Sequence, residues 1–345
     1  MVGKRRAKDA WRRAKRRAKR LARTARRPFE WFGAVLGVVV MSPLPHSALM
    51  CLCDFVSAVM YCFDRRGKRL ALENLRIVTG AHPPSKPYDS KGVEYNPSRS
   101  EALVIRRSYR NMARTVGHAF WTCLRARARV AAVGEMSAAG RDFLRDNKPA
   151  VTVSGHIGCW EILSQLAFLA GHRMMSVAKD IGSSAVTGLL MKARTSIGQE
   201  IVRAEGAFKP LMDGVKSGKS IGLLVDQVVK PRDGGVWVRF FGRPHPVSAA
   251  PAFFSAKGKA TIVVAWARPL AGGRYRCEVV DTIPAAEARD IWGTTQRCLA
   301  ALESVIRRHP SCWVLNYNCF RKKPSAEEAA ELEAREARAA ERKSS

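Results

Sequence analysis

Apolar and polar positions follow two different patterns along the chain, and the pattern changes near residue 149. Before it, apolar residues recur at helical spacing in residues 67–80 and 100–124, with a Pro-, Ser- and Lys-rich loop at 82–99. After it, short β-branched runs such as residues 150–154 and 220–225 alternate with helical stretches. This alternation predicts an α/β fold with a mostly parallel central sheet flanked by helices.

The same patterns predict the remaining elements of this domain. Further strands are predicted at residues 174–178, 201–202, 236–241, 260–267 and 275–280. Further helices are predicted at residues 159–170, 209–217, 247–257 and 285–308, and another helix is predicted to end at residue 189. The C-terminal residues 324–345 are rich in Ala, Glu and Arg, which predicts a charged helix or a disordered tail.

The N-terminal part of the chain combines a basic arm with an apolar segment. Residues 1–27 hold 14 Lys or Arg and one acid, and residues 28–63 hold only two charged side chains, Glu30 and Asp54. The turn at residues 42–45 divides the apolar segment into pieces shorter than the ~20 residues of a spanning helix. We interpret residues 28–66 as a short anchor or as interfacial, membrane-associated helices, with the arm on the cytoplasmic side. Two buried core helices are the alternative.

These boundaries divide the chain into four parts. They are the arm at 1–27, the membrane-associated helices at 28–66, an α/β domain at 67–323 and the tail at 324–345.

The net charge of +31 indicates an anionic partner. No nucleic acid is expected, because aromatic residues do not interleave with the basic run and no Cys/His finger spacing is present. Phospholipid head groups are the anions that suit a basic segment beside an apolar one. The nine cysteines form no C-x-x-C pair, which is typical of reduced thiols, and the histidines are not spaced for joint metal ligation. We therefore predict no metal and no cofactor.

The candidate chemistry lies where the first predicted strand of the sheet ends. Gly155-His156-Ile157-Gly158 occupies this position, and Glu161 begins the next helix. Ligands bind at the carboxyl ends of strands in open parallel sheets. We predict that His156 is a general base and that Glu161 fixes its tautomer. From spacing alone, a structural histidine beside an unrelated glutamate is equally compatible.

Two alternative nucleophiles flank this histidine. Ser154 lacks the surrounding G-x-S-x-G sequence of a hydrolase, because Thr152 replaces the first glycine. Cys159 precedes a tryptophan, as in some cysteine proteases, but the rest of that pattern is absent. A histidine base without a nucleophilic side chain beside it favours direct transfer of an acyl group from donor to acceptor.

Several segments resemble, in the same order, the lipid A secondary acyltransferases of Gram-negative bacteria, the lauroyl- and myristoyl-transferase family. These segments are ENLRIVTG at 73–80, SYRNMARTVGHAFW at 108–121, SGHIGCWEIL at 154–163 and the stretch from GKSIGLLVDQ to KATIVV at 218–264. The resemblance covers residues 29–324 and implies a glycerolipid-acyltransferase-like fold. It makes His156 and Glu161, an H-x4-[DE] pair, the catalytic residues, and it adds Arg203 and Asp226 as substrate-binding residues.

The resemblance also implies substrates and a location. The donor would be an acyl thioester, with acyl carrier protein favoured over coenzyme A, and the acceptor a hydroxyl of an anionic glycolipid such as a lipid A precursor. No acyl-enzyme would form, and the enzyme would lie at the bacterial inner membrane with its catalytic domain facing the cytoplasm. Residues 312–322, CWVLNYNCFRK, keep only Phe320-Arg321 of the family's closing pattern, which leaves the acceptor open.

Three other functions remain open at this point. They are a lysophospholipid or other glycolipid acyltransferase, a thioesterase, and a membrane-bound binding protein for anionic polymers without catalysis.

Overall fold

The computed structural model describes residues 36–81, 95–145, 148–178, 191, 195 and 197–344. The predicted basic arm, the beginning of the apolar segment, most of the loop at 82–99 and the helix predicted to end at 189 lie outside the described residues.

The described elements follow one another as helices first and then as alternating strands and helices. The helices are α1 (His46–Phe63), α2 (Arg65–Val78), α3 (Arg99–Trp121), α4 (Ala126–Val133), α5 (Ala138–Arg145), α6 (Trp160–Leu169), α7 (Phe208–Lys216), α8 (Ala250–Gly258), α9 (Ile291–Arg308) and α10 (Ala326–Ser344). The strands are β1 (Gly134–Met136), β2 (Ala150–Ser154), β3 (Met174–Ala178), β4 (Glu200–Arg203), β5 (Ser220–Leu224), β6 (Gly235–Phe240), β7 (Arg243–Ser248), β8 (Thr261–Pro269) and β9 (Tyr275–Ile283).

Seven of these described strands form one sheet in the order β1-β9-β8-β2-β5-β3-β4. All neighbours run parallel except β8 and β9, which are antiparallel. The predicted fold class, a mostly parallel sheet flanked by helices, is therefore confirmed. β2 lies at the centre of the sheet between β8 and β5, so its carboxyl end opens onto the middle of the sheet edge.

The sheet separates two hydrophobic clusters because successive strand residues point to opposite faces. On β2, Val151 and Val153 belong to one cluster, and Ala150 belongs to the other together with Ile162 and Leu166 of α6. A strand buried on both faces needs a continuous apolar sequence, which explains the β-branched run at residues 150–154.

Helix α1 packs along α3 on the same side of the domain as α6. Gly117 of α3 allows this close approach, since a Cβ atom there would lie 2.3 Å from the Cys53 sulfur. The Arg114 guanidinium donates two hydrogen bonds of 2.7 Å to the Asp54 carboxylate. Among the described residues, α1 is the helix that is long and apolar enough to cross a membrane. Its outer face carries Phe55, Val59 and Phe63, all of which are exposed.

The helix predicted at residues 247–257 is present but begins three residues later, because an unpredicted strand precedes it. Residues 243–248 form strand β7, which pairs antiparallel with β6, and helix α8 begins only at Ala250. The turn between the strands has positive φ at Phe241 and Gly242, as a two-residue hairpin turn requires. Pro244 and Pro246 hide this strand from pattern analysis, because proline is tolerated only in strands that leave its nitrogen unpaired.

The C-terminal segment forms the helix α10 and contacts the hairpin. Leu332 is buried, and Arg239 of β6 pairs with Glu336 at 2.9 Å. An apolar contact and an ion pair therefore hold this charged helix against the domain.

Candidate active site

The parallel register of β2 and β5 brings His156 beside Asp226. Ser154 pairs with Leu224 at the last position of the two strands. His156 and Asp226 each follow two residues later, so both lie at the carboxyl edge of the sheet. Neighbouring strands are about 4.8 Å apart, which places the two side chains within hydrogen-bonding distance.

His156 and the Asp226 carboxylate are joined by two hydrogen bonds, one from the imidazole and one from the backbone. His156 Nδ1 lies 2.8 Å from Asp226 Oδ1, and the His156 backbone N–H donates to Asp226 Oδ2 at 2.8 Å. The Trp313 indole N–H also donates to Oδ2, at 2.9 Å. Because an ionised carboxylate only accepts hydrogen bonds, the neutral imidazole carries its proton on Nδ1 and a lone pair on Nε2.

Asp226 is buried yet remains in its charged form. Burial alone raises the pKa of its carboxyl, but the positive charge of His156 in its protonated form and the hydrogen bonds from His156 and Trp313 more than offset this effect. The pKa of Asp226 therefore lies below its usual range. The backbone carbonyl oxygen of Asp226 also lies 3.2 Å from Nε2 of the buried His245, and this contact fixes the backbone at the end of β5.

The glycines on both sides of His156 make this geometry possible. A Cβ atom on Gly155 would lie 3.1 Å from the Asp226 carboxylate, so a side chain there would push the acid away from the loop. Gly158 has a φ of 60°, and a Cβ atom there would lie 2.0 Å from the Ala267 carbonyl oxygen. Only glycine adopts this turn without strain.

His156 lines a cavity of about 880 Å³. Ser154, Thr152 and Ala150 of β2 line it, and so does His172, which precedes β3 at the opposite end of the strands. The imidazole is partly exposed, and its Nε2 lies 3.2 Å from the Gln227 side-chain nitrogen, which can donate to that lone pair. The edge of the ring packs against Trp160.

Glu161 lines the same cavity from the first turn of α6 and is buried. The hydrogen bond that fixes the imidazole tautomer nevertheless comes from Asp226, whereas the sequence analysis expected it from Glu161. The reason is topological. Because β5 runs parallel to β2 as its neighbour, Asp226 just after the end of β5 lies directly beside the loop that carries His156.

Arg203 lies away from this pair. It is exposed at the end of β4, the edge strand, and β3 and β5 lie between β4 and β2. Three strand spacings amount to roughly 14 Å, too far for a guanidinium to touch the imidazole. Arg203 is also not among the residues that line the cavity.

Sequence reasoning missed three residues around His156: Ser154 as a site residue, Gln227 and Trp313. Ser154 is almost fully buried and lines the cavity, and its hydroxyl has no hydrogen-bond partner among the residues that the structure describes. Gln227 follows Asp226 directly, so the sequence Asp-Gln at a strand end could have indicated it. No local signal indicates Trp313, which lies 87 residues from its partner Asp226.

The surroundings of Cys159 disfavour its thiol as a nucleophile at neutral pH. Cys159 is fully buried, and burial raises the pKa of its thiol to about 12. The reactive thiolate form is therefore not populated.

Comparison with known proteins gives one match that spans most of the chain. The family model described as bacterial lipid A biosynthesis acyltransferase matches residues 15–322. No curated protein matches the chain.

Proposed function

Because the chain belongs to the bacterial lipid A biosynthesis acyltransferases, we propose that it moves a fatty acyl chain from an acyl thioester to a hydroxyl of a phosphorylated glycolipid. One observation carries this proposal. An imidazole whose Nδ1 is hydrogen-bonded to a buried carboxylate lines a cavity of about 880 Å³. Such a pair is suited to general-base catalysis.

In the proposed reaction, Nε2 of His156 accepts the proton of the acceptor hydroxyl. The hydroxyl oxygen then forms a bond to the thioester carbonyl carbon, whose π electrons move to the carbonyl oxygen. When this intermediate collapses, the C–S bond breaks and the imidazolium returns its proton to the thiolate. Asp226 stabilises the imidazolium throughout, and the enzyme itself is never acylated.

The negative carbonyl oxygen of the intermediate needs a hydrogen-bond donor. Ser154 supports this role, because its hydroxyl is buried, has no partner among the described residues and lies two residues before His156. Arg203 is too distant for this task. We instead assign Arg203 to a phosphate of the donor or acceptor outside the cavity, a role that suits an exposed guanidinium.

The cavity suits the acyl chain of the donor. Ala150 and Ser154 both line it and are four residues apart on β2, so it follows the strand for about 13 Å. An extended chain advances roughly 1.2 Å per bond, which gives room for on the order of ten carbons. Glu161, which lines the same cavity, would add negative charge that further stabilises the imidazolium.

The charge and the surface of the protein support the proposed partners. Acyl carrier protein and lipid A precursors are both anionic, and a net charge of +31 attracts both. The exposed apolar residues of α1 suit contact with lipid at the cytoplasmic face of the inner membrane. Acyl carrier protein is favoured over coenzyme A because a protein donor can use a large basic surface.

The test is mass spectrometry of the glycolipids of a host strain that carries the gene, the His156→Ala variant or neither. We expect the gene to add one acyl mass to a glycolipid and the variant to add none while it remains in the membrane fraction. Full acylation by the variant would refute His156 as the base. An added acyl mass on a phospholipid would indicate a different acceptor class, and free fatty acid without any acylated lipid would indicate a thioesterase.

A further inference from the structure

The loop that follows α9 is paired directly with the loop that carries His156. The Val314 N–H donates to the His156 carbonyl at 3.1 Å, and the Gly158 N–H donates to the Cys312 carbonyl at 2.9 Å. Ile157 and Trp313 form an antiparallel bridge between these contacts. Residues 312–314 therefore help to hold the backbone of the histidine loop in place.

Side chains of two helices hold the other side of this loop. Asn74 of α2 is fully buried and donates hydrogen bonds of 2.7 Å to the carbonyls of Leu315 and Tyr317. Ser108 of α3 donates to the Trp313 carbonyl at 2.6 Å. Carbonyl groups that are bonded to buried side chains cannot rearrange without losing those bonds, so the loop has one strongly preferred conformation.

The Trp313 side chain continues from this fixed backbone to the catalytic carboxylate. Its indole is buried and packs edge to face on Phe240, with the ring centroids 5.9 Å apart. Its N–H donates to Asp226 Oδ2 at 2.9 Å, beside the bond from the His156 backbone. Oδ2 therefore accepts two hydrogen bonds, and Oδ1 is left to face His156 Nδ1.

We propose that Trp313 is a positioning residue that acts on His156 through Asp226. This proposal rests on the proposed function of His156 as the base. The terminal torsion of an aspartate is broad, so a carboxylate without fixed partners samples many orientations. The indole N–H restricts this freedom together with the His156 backbone N–H, and it also withdraws charge from Oδ1, which tunes how strongly the carboxylate holds the imidazolium.

The test compares the kinetics and pH profile of Trp313→Phe with those of the wild type. We expect kcat to fall roughly tenfold, the rate equivalent of one hydrogen bond to a charged group, with little change in KM for either substrate. Loss of the donor leaves more charge on Oδ1 and raises the pKa of His156. Because the base must be unprotonated to act, the acid limb of kcat/KM should move to higher pH.

Trp292→Phe is the matched control. The Trp292 indole N–H donates to the Trp237 carbonyl at 2.9 Å, so this variant also loses one indole hydrogen bond, but away from Asp226. We expect unchanged kcat and an unchanged pH profile. A Trp313→Phe enzyme that is folded and behaves like this control overturns the proposal.

A second variant covers the case in which Trp313→Phe does not fold. Replacement of Trp313 by 3-benzothienylalanine keeps the shape of the ring and exchanges only the N–H for sulfur. The same tenfold loss and the same pH shift support the proposal, and wild-type kinetics overturn it. Full transfer by His156→Ala would instead show that the proposed function itself has failed.

Discussion

The Asp226 carboxylate is almost fully buried. The groups around it offset the unfavourable free energy of burying its negative charge. An isolated buried carboxylate would become protonated. Here His156 and Trp313 supply hydrogen bonds to both oxygens, and the pKa of Asp226 stays below its usual range. The ionised carboxylate can then hold the proton on Nδ1, which places the lone pair on Nε2, as the proposed reaction requires.

Substitution of the two acidic residues should separate their roles. We expect Asp226→Asn to lower kcat on the order of a thousandfold or more, because an amide favours the wrong imidazole tautomer. Glu161→Gln should cost much less, since the Nδ1 hydrogen bond is made by Asp226. Steady-state kinetics of both variants, with thermal unfolding as a check on folding, would decide. A large loss of kcat in Glu161→Gln together with a small loss of kcat in Asp226→Asn would contradict our assignment.

At the scale of elements, α1 combines a face docked on the domain with a face open to solvent. The inner face is held by the ion pair of Asp54 with Arg114 and by the contact of His46 with His118 at 3.2 Å. Burial lowers the pKa of His118 to about 4, so this contact is uncharged at neutral pH. A helix tied along its length to the domain is suited to lie in the membrane interface rather than to cross the bilayer.

Polar substitutions on the outer face of α1 should weaken membrane binding and leave catalysis intact. We expect Phe55→Gln, Val59→Gln and Phe63→Gln together to reduce partitioning into anionic vesicles on the order of a hundredfold, since three apolar side chains lose burial in lipid. Vesicle sedimentation measures the partitioning, and turnover in detergent micelles measures the activity.

Leu124→Gln is the control for this substitution, because Leu124 is apolar and half-exposed but lies outside α1. It should bind vesicles like the wild type. Unchanged vesicle binding by the triple variant would contradict an interfacial role for this face.

At the scale of the whole molecule, the net charge of +31 makes association with anionic substrates sensitive to salt. Long-range attraction between exposed charges is screened beyond about 10 Å at 0.1 M ionic strength. Such attraction speeds the encounter of partners more than it strengthens the bound complex.

We therefore expect kcat/KM with an acyl carrier protein donor to fall steeply as ionic strength rises. The fall should be roughly tenfold or more between 0.05 and 0.5 M salt, with a smaller change in kcat. The same acyl chain on coenzyme A, a smaller anion, should show a weaker dependence and serves as the control. Equal salt dependence for the two donors would argue against recognition of the carrier protein by the basic surface.

The fold class was predictable because it depends on local patterns. Short β-branched runs between helical stretches predict a parallel sheet, and the strands at residues 150–154 and 174–178 are confirmed. The three-residue strand β1 and the hairpin strand β7 were missed. Such short or proline-containing strands owe their existence to their partners rather than to a pattern of their own.

The sequence by itself determined the α/β architecture, the family and the loop in which His156 lies between two glycines, because all of these depend on residues close together along the chain. The tertiary structure alone decided which carboxylate serves the imidazole and what holds that carboxylate in place. Asp226 lies 70 residues from His156, and Trp313 lies 87 residues beyond Asp226. Strand register and the packing of a distant loop bring these three side chains together, and neither leaves a periodic signal in the sequence.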